Sequence, residues 1–203
     1  MRKINLIIKR LIDFFGSLLG LIILSPILII IAILIKATSK GPVFFKQERL
    51  GKNGKVFKII KFRTMVVNAE KIGSGLFLKS ENDNRITKIG KFLRATSLDE
   101  LPQLINVLLG QMSLVGPRPP VPYHPYKYED YNEFQRKRFL MKPGMTGLAQ
   151  VKVRNSVSWD ERIRYDVEYI EKFNILFDFS ILFKTFLKVV KPESIYLQDN
   201  AQK

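Results

Sequence analysis

The run FFGSLLGLIILSPILIIIAILI, residues 14–35, carries no charge over 22 consecutive positions. As an α-helix at about 1.5 Å per residue it is about 33 Å long, enough to cross a hydrocarbon core of about 30 Å. It is longer than the apolar core of a signal peptide and no small-residue cleavage site follows it, so a retained membrane segment is expected. Its middle holds Ser25-Pro26. Proline lacks an N–H and its ring collides with the carbonyl four residues back, here that of Ile22. In lipid that carbonyl needs a partner, and the Ser25 hydroxyl can bond back to Leu21 or Ile22. Both flanks are basic. Arg2, Lys3, Lys9 and Arg10 precede the run, and nine basic residues against one acid, Glu48, lie between Lys36 and Arg63. Basic flanks stay on the cytoplasmic side, and a straight span sends one of them across. A re-entrant helix-break-helix hairpin bent at Ser25 and Pro26 keeps both inside and is favoured over a kinked spanning helix.

The whole chain has 203 residues and a formal net charge of +16, with no cysteine and one histidine. That length suits one main domain with an appendage. The missing cysteines remove disulfides, thiolate catalysis and zinc–thiolate sites. A large positive excess points to nucleic acid, an anionic membrane or phosphorylated substrates. A hydrophobic content of 46% with 15 phenylalanines argues for lipid and against nucleic acid. The division expected is a membrane hairpin at 1–38, a catalytic domain at 39–190 with interfacial helices, and a tail at 191–203. The fold class expected is α+β.

Residues 43–65 read as two strands around Asn53-Gly54, a strong hairpin signal. They bring together Lys46, Arg49, Lys58, Lys61 and Arg63, as a solvated basic face or as a surface for headgroups and phosphates. Residues 68–86 read as a mobile loop or lid. Residues 87–95 read as a short helix with Ile89, Phe92 and Leu93 inward. Leu101, Leu104, Ile105, Leu108 and Leu109 form a core-facing helical stripe that stops at Gly110. The GPRPP segment at 116–120 is a stiff loop. Residues 132–141 read as helix, 142–151 as turn then strand, and 159–172 as an amphipathic helix. The apolar segment from Ser180 suits either an interfacial helix with Lys184, Thr185 and Lys188 opposite its apolar side, or a core helix.

Against the basic background stands TSLDELPQL, residues 96–104, with Asp99 and Glu100 adjacent. Ser97 and Glu100 match a capping box, which explains the pair without any chemistry. A chemical role also fits. A helix N-terminus favours anions, neighbouring helical residues lie about 100° apart so both carboxylates can border one cleft, and Arg94 and Arg118 are planar bidentate phosphate binders. An ionised carboxylate can attack phosphorus, and Mg²⁺ offsets its repulsion from a diphosphate. Two carboxylates, a metal and arginines make a phosphoryl-transfer site.

The segments KFRTM (61–65), RATSLDELPQLINVLLGQMSLVGPRP (94–119), KPGMTGLAQV (142–151) and RNSVSW with YDVEYI (154–170) together resemble the monotopic phosphoglycosyl transferases, the bacterial sugar transferases, over nearly the whole chain. The chain's brevity is similar to that of the small members of bacterial surface glycosylation pathways and, by analogy, suggests an N-acetylated aminosugar. The resemblance implies transfer of a sugar-1-phosphate from a UDP-sugar to undecaprenyl phosphate on the cytoplasmic face of the bacterial inner membrane, with release of UMP. It implies Asp99 as the nucleophile of a covalent phosphosugar intermediate and Glu100 as its partner with Mg²⁺. Lys61, Arg94 and Arg118 are then phosphate or headgroup contacts, and Asp166 positions metal or substrate. The partners implied are the bilayer and downstream glycosyltransferases. Gln111, Leu148 and Val153 depart from the family's usual Asp, Trp and Gly and leave the acidic pair untouched. The rival in another class is a non-enzymatic basic protein that recruits anionic lipids or partners at the membrane.

Overall fold

A computed structural model describes residues 2–69, 72, 83–153 and 157–190. The long helix α1 (Arg2–Thr38) contains Pro26 without interruption. The two helical halves expected on either side of Ser25-Pro26 are therefore one continuous element. The reason is local: Ser25 Oγ donates to Ile22 O at 2.8 Å, the carbonyl that Pro26 leaves without a backbone donor. By length and composition α1 is able to cross a membrane, and most of its large apolar side chains, from Ile4 to Leu34, are exposed.

Strands β1 (Phe44–Leu50) and β2 (Val56–Phe62) form the expected antiparallel hairpin. Asn53 and Gly54, with φ of 56° and 74°, supply the left-handed turn. The pairing register corrects the expected basic cluster. Lys46 and Lys58 share one face with Glu48, while Arg49 and Lys61 lie on the other. Arg63 is buried and caps the end of α1, donating to Ser39 O and Ser39 Oγ at 3.0 and 2.9 Å and to Lys40 O.

Helix α2 (Lys88–Ala95) starts at Thr87, whose hydroxyl accepts from Gly90 N. Leu93 is buried as expected, but Phe92 points outward at 56% exposure. Helix α3 (Gln103–Leu108) is shorter than the apolar stripe suggested and is turned. It buries Gln103, Leu104, Asn106 and Val107, leaving Leu109 exposed. Asn106 sets that rotation. Its side chain accepts from Ile60 N at 3.0 Å and donates to Lys58 O at 2.8 Å and Gln111 Oε1 at 2.7 Å, and those bonds to β2 outweigh the burial of one more leucine.

Strands β3 (Ser113–Val115) and β4 (Gly144–Thr146) pair in parallel. Between them, α4 (Glu133–Arg136) opens on a capping box of Asn132 and Gln135. Past β4 the chain enters helix α5 (Leu148–Lys152) instead of the expected strand. There, Leu148, Ala149 and Val151 are buried together, a spacing that a strand would send to both faces. Helix α6 (Trp159–Lys172) matches expectation, and α7 (Ile175–Val190) follows it. One core joins Val115, Met141, Leu148, Tyr169, Ile170 and Ile181. A second joins Leu50, Tyr131, Phe139, Ile163 and Val167.

Helix α7 presents Leu176, Phe179, Phe183, Phe186 and Leu187 outward. Thr185 instead meets Thr146 at 2.7 Å, on the protein side. Helix α1 packs on the same body at both ends. Near its start, Arg10 donates to Val107 O and Leu108 O at 2.8 and 2.9 Å. Asp13 accepts from Ser113 Oγ and Leu114 N, and Lys9 pairs with Asp178 at 2.5 Å. Near its end, Ile31 and Ile35 pack with Phe62 and Leu93. The tail at 191–203 and most of the expected lid lie outside the described residues.

Candidate active site

The acidic pair sits in a 3₁₀ turn, Leu98–Glu100, and not at the first turn of a long helix. Ser97 adopts left-handed backbone, φ 58° and ψ 15°, and its side chain makes no cap bond. The expected capping box is therefore absent. In that conformation Ser97 does not cap the turn, and the Glu100 carboxylate is engaged elsewhere. Lys61 Nζ on β2 donates to Glu100 Oε1 at 2.6 Å, and Arg118 Nη2 approaches the same oxygen at 3.3 Å. Strand, turn and proline-rich loop thus converge on one oxygen atom.

Asp99 is different. Half-buried beside Glu100, it has no hydrogen-bond or ion-pair partner among the described residues. Burial is the largest influence on its acidity and pushes the carboxyl up to about 6. Lys61 pulls it down, the neighbouring Glu100 charge adds to the rise, and Arg94 and Arg118 oppose it from further off. Burial also works to raise Glu100, but Lys61 and Arg118 outweigh it and hold that carboxyl well below the usual range. A proton shared by this pair therefore resides on Asp99, and Glu100 stays ionised.

Arg94 reaches the region through a close helix–strand approach. A Cβ at Gly90 would lie 2.0 Å from Thr64 O, so only glycine lets α2 settle there. Thr87 N also donates to Thr64 O, at 3.0 Å. One turn along the same face, Arg94 Nε donates to Thr64 Oγ1 at 2.8 Å, which aims its guanidinium toward the turn without using all of its donors. Thr64 is a positioning partner that the carboxylates and cations gave no reason to single out.

Lys61, Arg94, Asp99, Glu100 and Arg118 thus come together. Asp166 does not join them. It is 2% exposed and pairs through Oδ2 with Arg138 Nη2 at 2.6 Å. Ser25 and Pro26 lie in α1, away from the carboxylates in sequence and role. Among the described residues no three His, Asp or Glu side chains form a metal cluster. Two adjacent carboxylates, one of them without a partner, still suit Mg²⁺, which takes one or two protein carboxylates and completes its shell with water and phosphate oxygens. Arg154, Asn155 and Ser156 lie outside the described residues.

Comparisons with known proteins show which family shares this sequence. The family model for bacterial sugar transferases matches residues 4–192. A UDP-glucose:undecaprenyl-phosphate glucose-1-phosphate transferase of Klebsiella pneumoniae is 46% identical over 200 residues, which is 95% of this chain and 42% of that protein. The galactosyl transferase CpsE of Streptococcus agalactiae is 46% identical over 196 residues, 92% of this chain and 42% of its own. The exopolysaccharide production protein PSS of Rhizobium leguminosarum is 44% identical over 193 residues, covering 89% of this chain and 94% of the relative. The chain spans about two fifths of the length of several curated relatives it matches. With that coverage and these identities, the chain belongs to the bacterial sugar transferase family.

Proposed function

We propose that this protein transfers a sugar-1-phosphate from a UDP-sugar to undecaprenyl phosphate and releases UMP. The observation that carries the proposal is the asymmetry of the acidic pair. Glu100 is neutralised by Lys61 and Arg118, while the Asp99 carboxylate beside them has no partner among the described residues. Asp99 Oδ attacks the phosphorus that bears the sugar. A bond forms between that oxygen and phosphorus, and the bond to the bridging oxygen of UMP breaks, so UMP leaves with the electron pair. A phosphate oxygen of undecaprenyl phosphate then attacks the same phosphorus. The aspartyl bond breaks, and a lipid-linked diphosphosugar forms. Arg94 and Arg118 bind the phosphate oxygens through both steps, and Lys61 keeps Glu100 in place. Asp99 and Glu100 would hold Mg²⁺, which supplies charge neutralisation for the diphosphate.

The placement of α1 supports a membrane helix that does not cross, with both basic flanks on one face. Lys9 and Arg10 at one end and Ile35 and Ser39 at the other touch one and the same body. A crossing helix would part such contacts by about 30 Å of hydrocarbon. The apolar side of α7 adds an interfacial surface. The relatives carry glucose and galactose in their names, which favours a plain hexose over the N-acetylated aminosugar that chain length suggested. The test is UMP release from UDP-glucose, UDP-galactose and UDP-N-acetylhexosamines, with undecaprenyl phosphate and Mg²⁺ in lipid nanodiscs. Release dependent on the lipid acceptor with at least one donor is expected. No release with any donor contradicts the proposal and favours the non-enzymatic membrane protein.

A further inference from the structure

The loop that carries Arg118 contains Pro117, Pro119 and Pro120, which have no N–H to donate. It is therefore held from outside, through its carbonyls. Pro117 O accepts from Gly144 N at 3.0 Å. Pro119 O accepts from Arg49 Nη1 at 3.0 Å, and Pro120 O from Leu50 N at 2.9 Å. The carbonyl of Arg118 itself is held by a different device. Arg138 Nη2 donates to Arg118 O at 2.9 Å and, from the same nitrogen, to Asp166 Oδ2 at 2.6 Å. Both side chains of that ion pair are almost fully buried, at 1% and 2% exposure.

As a stabilising element this pair is poor. Arg138 Nε and Nη1 and Asp166 Oδ1 are buried with no hydrogen-bond partner among the described residues. Burial drives the Asp166 carboxyl up to about 6 despite the adjacent guanidinium. A buried ion pair with unsatisfied atoms costs as much as it contributes. What the pair does have is direction. Asp166 orients Arg138, Arg138 fixes the Arg118 carbonyl, and the Arg118 guanidinium reaches Glu100 at 3.3 Å.

We propose that Arg138, oriented by Asp166, is a positioning residue that sets where the Arg118 guanidinium stands over the acidic pair. Neither residue touches the reacting phosphate. This assigns Asp166 an indirect role in place of direct contact with metal or substrate, and it rests on Arg118 and Glu100 belonging to the transfer site.

The test is a double-mutant cycle on UMP release in nanodiscs, with thermal unfolding measured on the same samples. The variants are Arg118→Ala, Arg138→Lys and both together. Lysine keeps the charge, but its side chain is one bond shorter and does not carry a nitrogen out to the place that Nη2 holds between the two acceptors. Displacing a positioned group by about 1 Å costs on the order of 10²-fold, so Arg138→Lys and Arg118→Ala are each expected to lower kcat by ~30- to 100-fold. The double variant is expected within ~3-fold of Arg118→Ala alone, because there is then no guanidinium left to position. A general structural defect would instead multiply the two losses. Asp166→Asn, nearly the same shape, is expected to show the same non-additivity. Wild-type turnover by Arg138→Lys, multiplied losses, or failure of both Arg138→Lys and Asp166→Asn to fold each overturns the proposal. Absence of UMP release by the wild-type protein would instead sink the proposed function.

Discussion

Two acidic groups in this molecule are handled in opposite ways. Asp178 lies 169 residues from its cation Lys9, and both are buried. It is also fully engaged: Oδ2 accepts from Lys9 and Oδ1 accepts from the Tyr169 hydroxyl at 2.9 Å. Asp99 and Glu100 are neighbours in sequence, only half-buried, and share two cations that both settle on Glu100. The first arrangement gives each carboxylate oxygen a partner and ties α1 to α6 and α7. The second leaves one partly exposed carboxylate without a partner among the described residues. Full satisfaction suits a structural lock, whereas an acid without a partner next to a neutralised one is what the proposed transfer requires.

Substitutions can break that contrast. Asp99→Asn is expected to remove transfer, by ~10³-fold or more, as read by UMP release. Its folded fraction should not fall. The folded-state pKa of Asp99 lies above its unfolded value of 3.8, so the folded protein holds that proton more tightly. Asp99 thus contributes stability that is lost as pH rises from about 4 to about 6. At pH 7.5 the asparagine variant should unfold at the same temperature or a higher one. Asp178→Asn is expected to do the reverse. It leaves Lys9 buried without its counter-ion, at about 3 kcal/mol of stability, visible as a lower denaturant midpoint. Activity per folded molecule should be nearly unchanged.

The pH profile sharpens the same contrast. In the proposed mechanism Asp99 attacks and holds a cation only when ionised, so activity should rise with pH and level off above about 6. In Glu100→Gln the like charge is gone and Lys61 and Arg118 are free to act on Asp99. The acid limb should therefore move to lower pH even as the plateau drops. A smaller effect is expected at Asn106, whose side chain ties α3 to β2 with two backbone bonds. Asn106→Ala should cost about 1–3 kcal/mol, with the pH profile unmoved.

Local chemistry was legible in the sequence. The hairpin followed from Asn53-Gly54, α6 from its amphipathic period, and the rebonded Ile22 carbonyl from Ser25-Pro26. The residues of the candidate site were readable as well, because a carboxylate pair and spaced arginines stand out in a basic chain. Features decided at long range were not. Asn106 turned α3 away from its leucine stripe by bonding to a strand more than 40 residues earlier. Ser97 looked like a cap, but its left-handed backbone and the pull of Lys61 on Glu100 removed the box. Arg138 gave no signal, since a basic residue in a basic helix looks solvated until its partners Asp166 and Arg118 are seen. The basic hairpin residues split between two faces once the register was known, and Arg63 proved to be a buried helix cap.

Incubating the protein with a UDP-sugar in the absence of undecaprenyl phosphate, and weighing the Asp99 peptide, tests the covalent step directly. A covalent aspartyl step gives a burst of UMP no larger than the enzyme concentration and a phosphosugar mass on that peptide, which lipid acceptor then discharges. Full turnover with acceptor present, but no adduct and no burst in its absence, would contradict it.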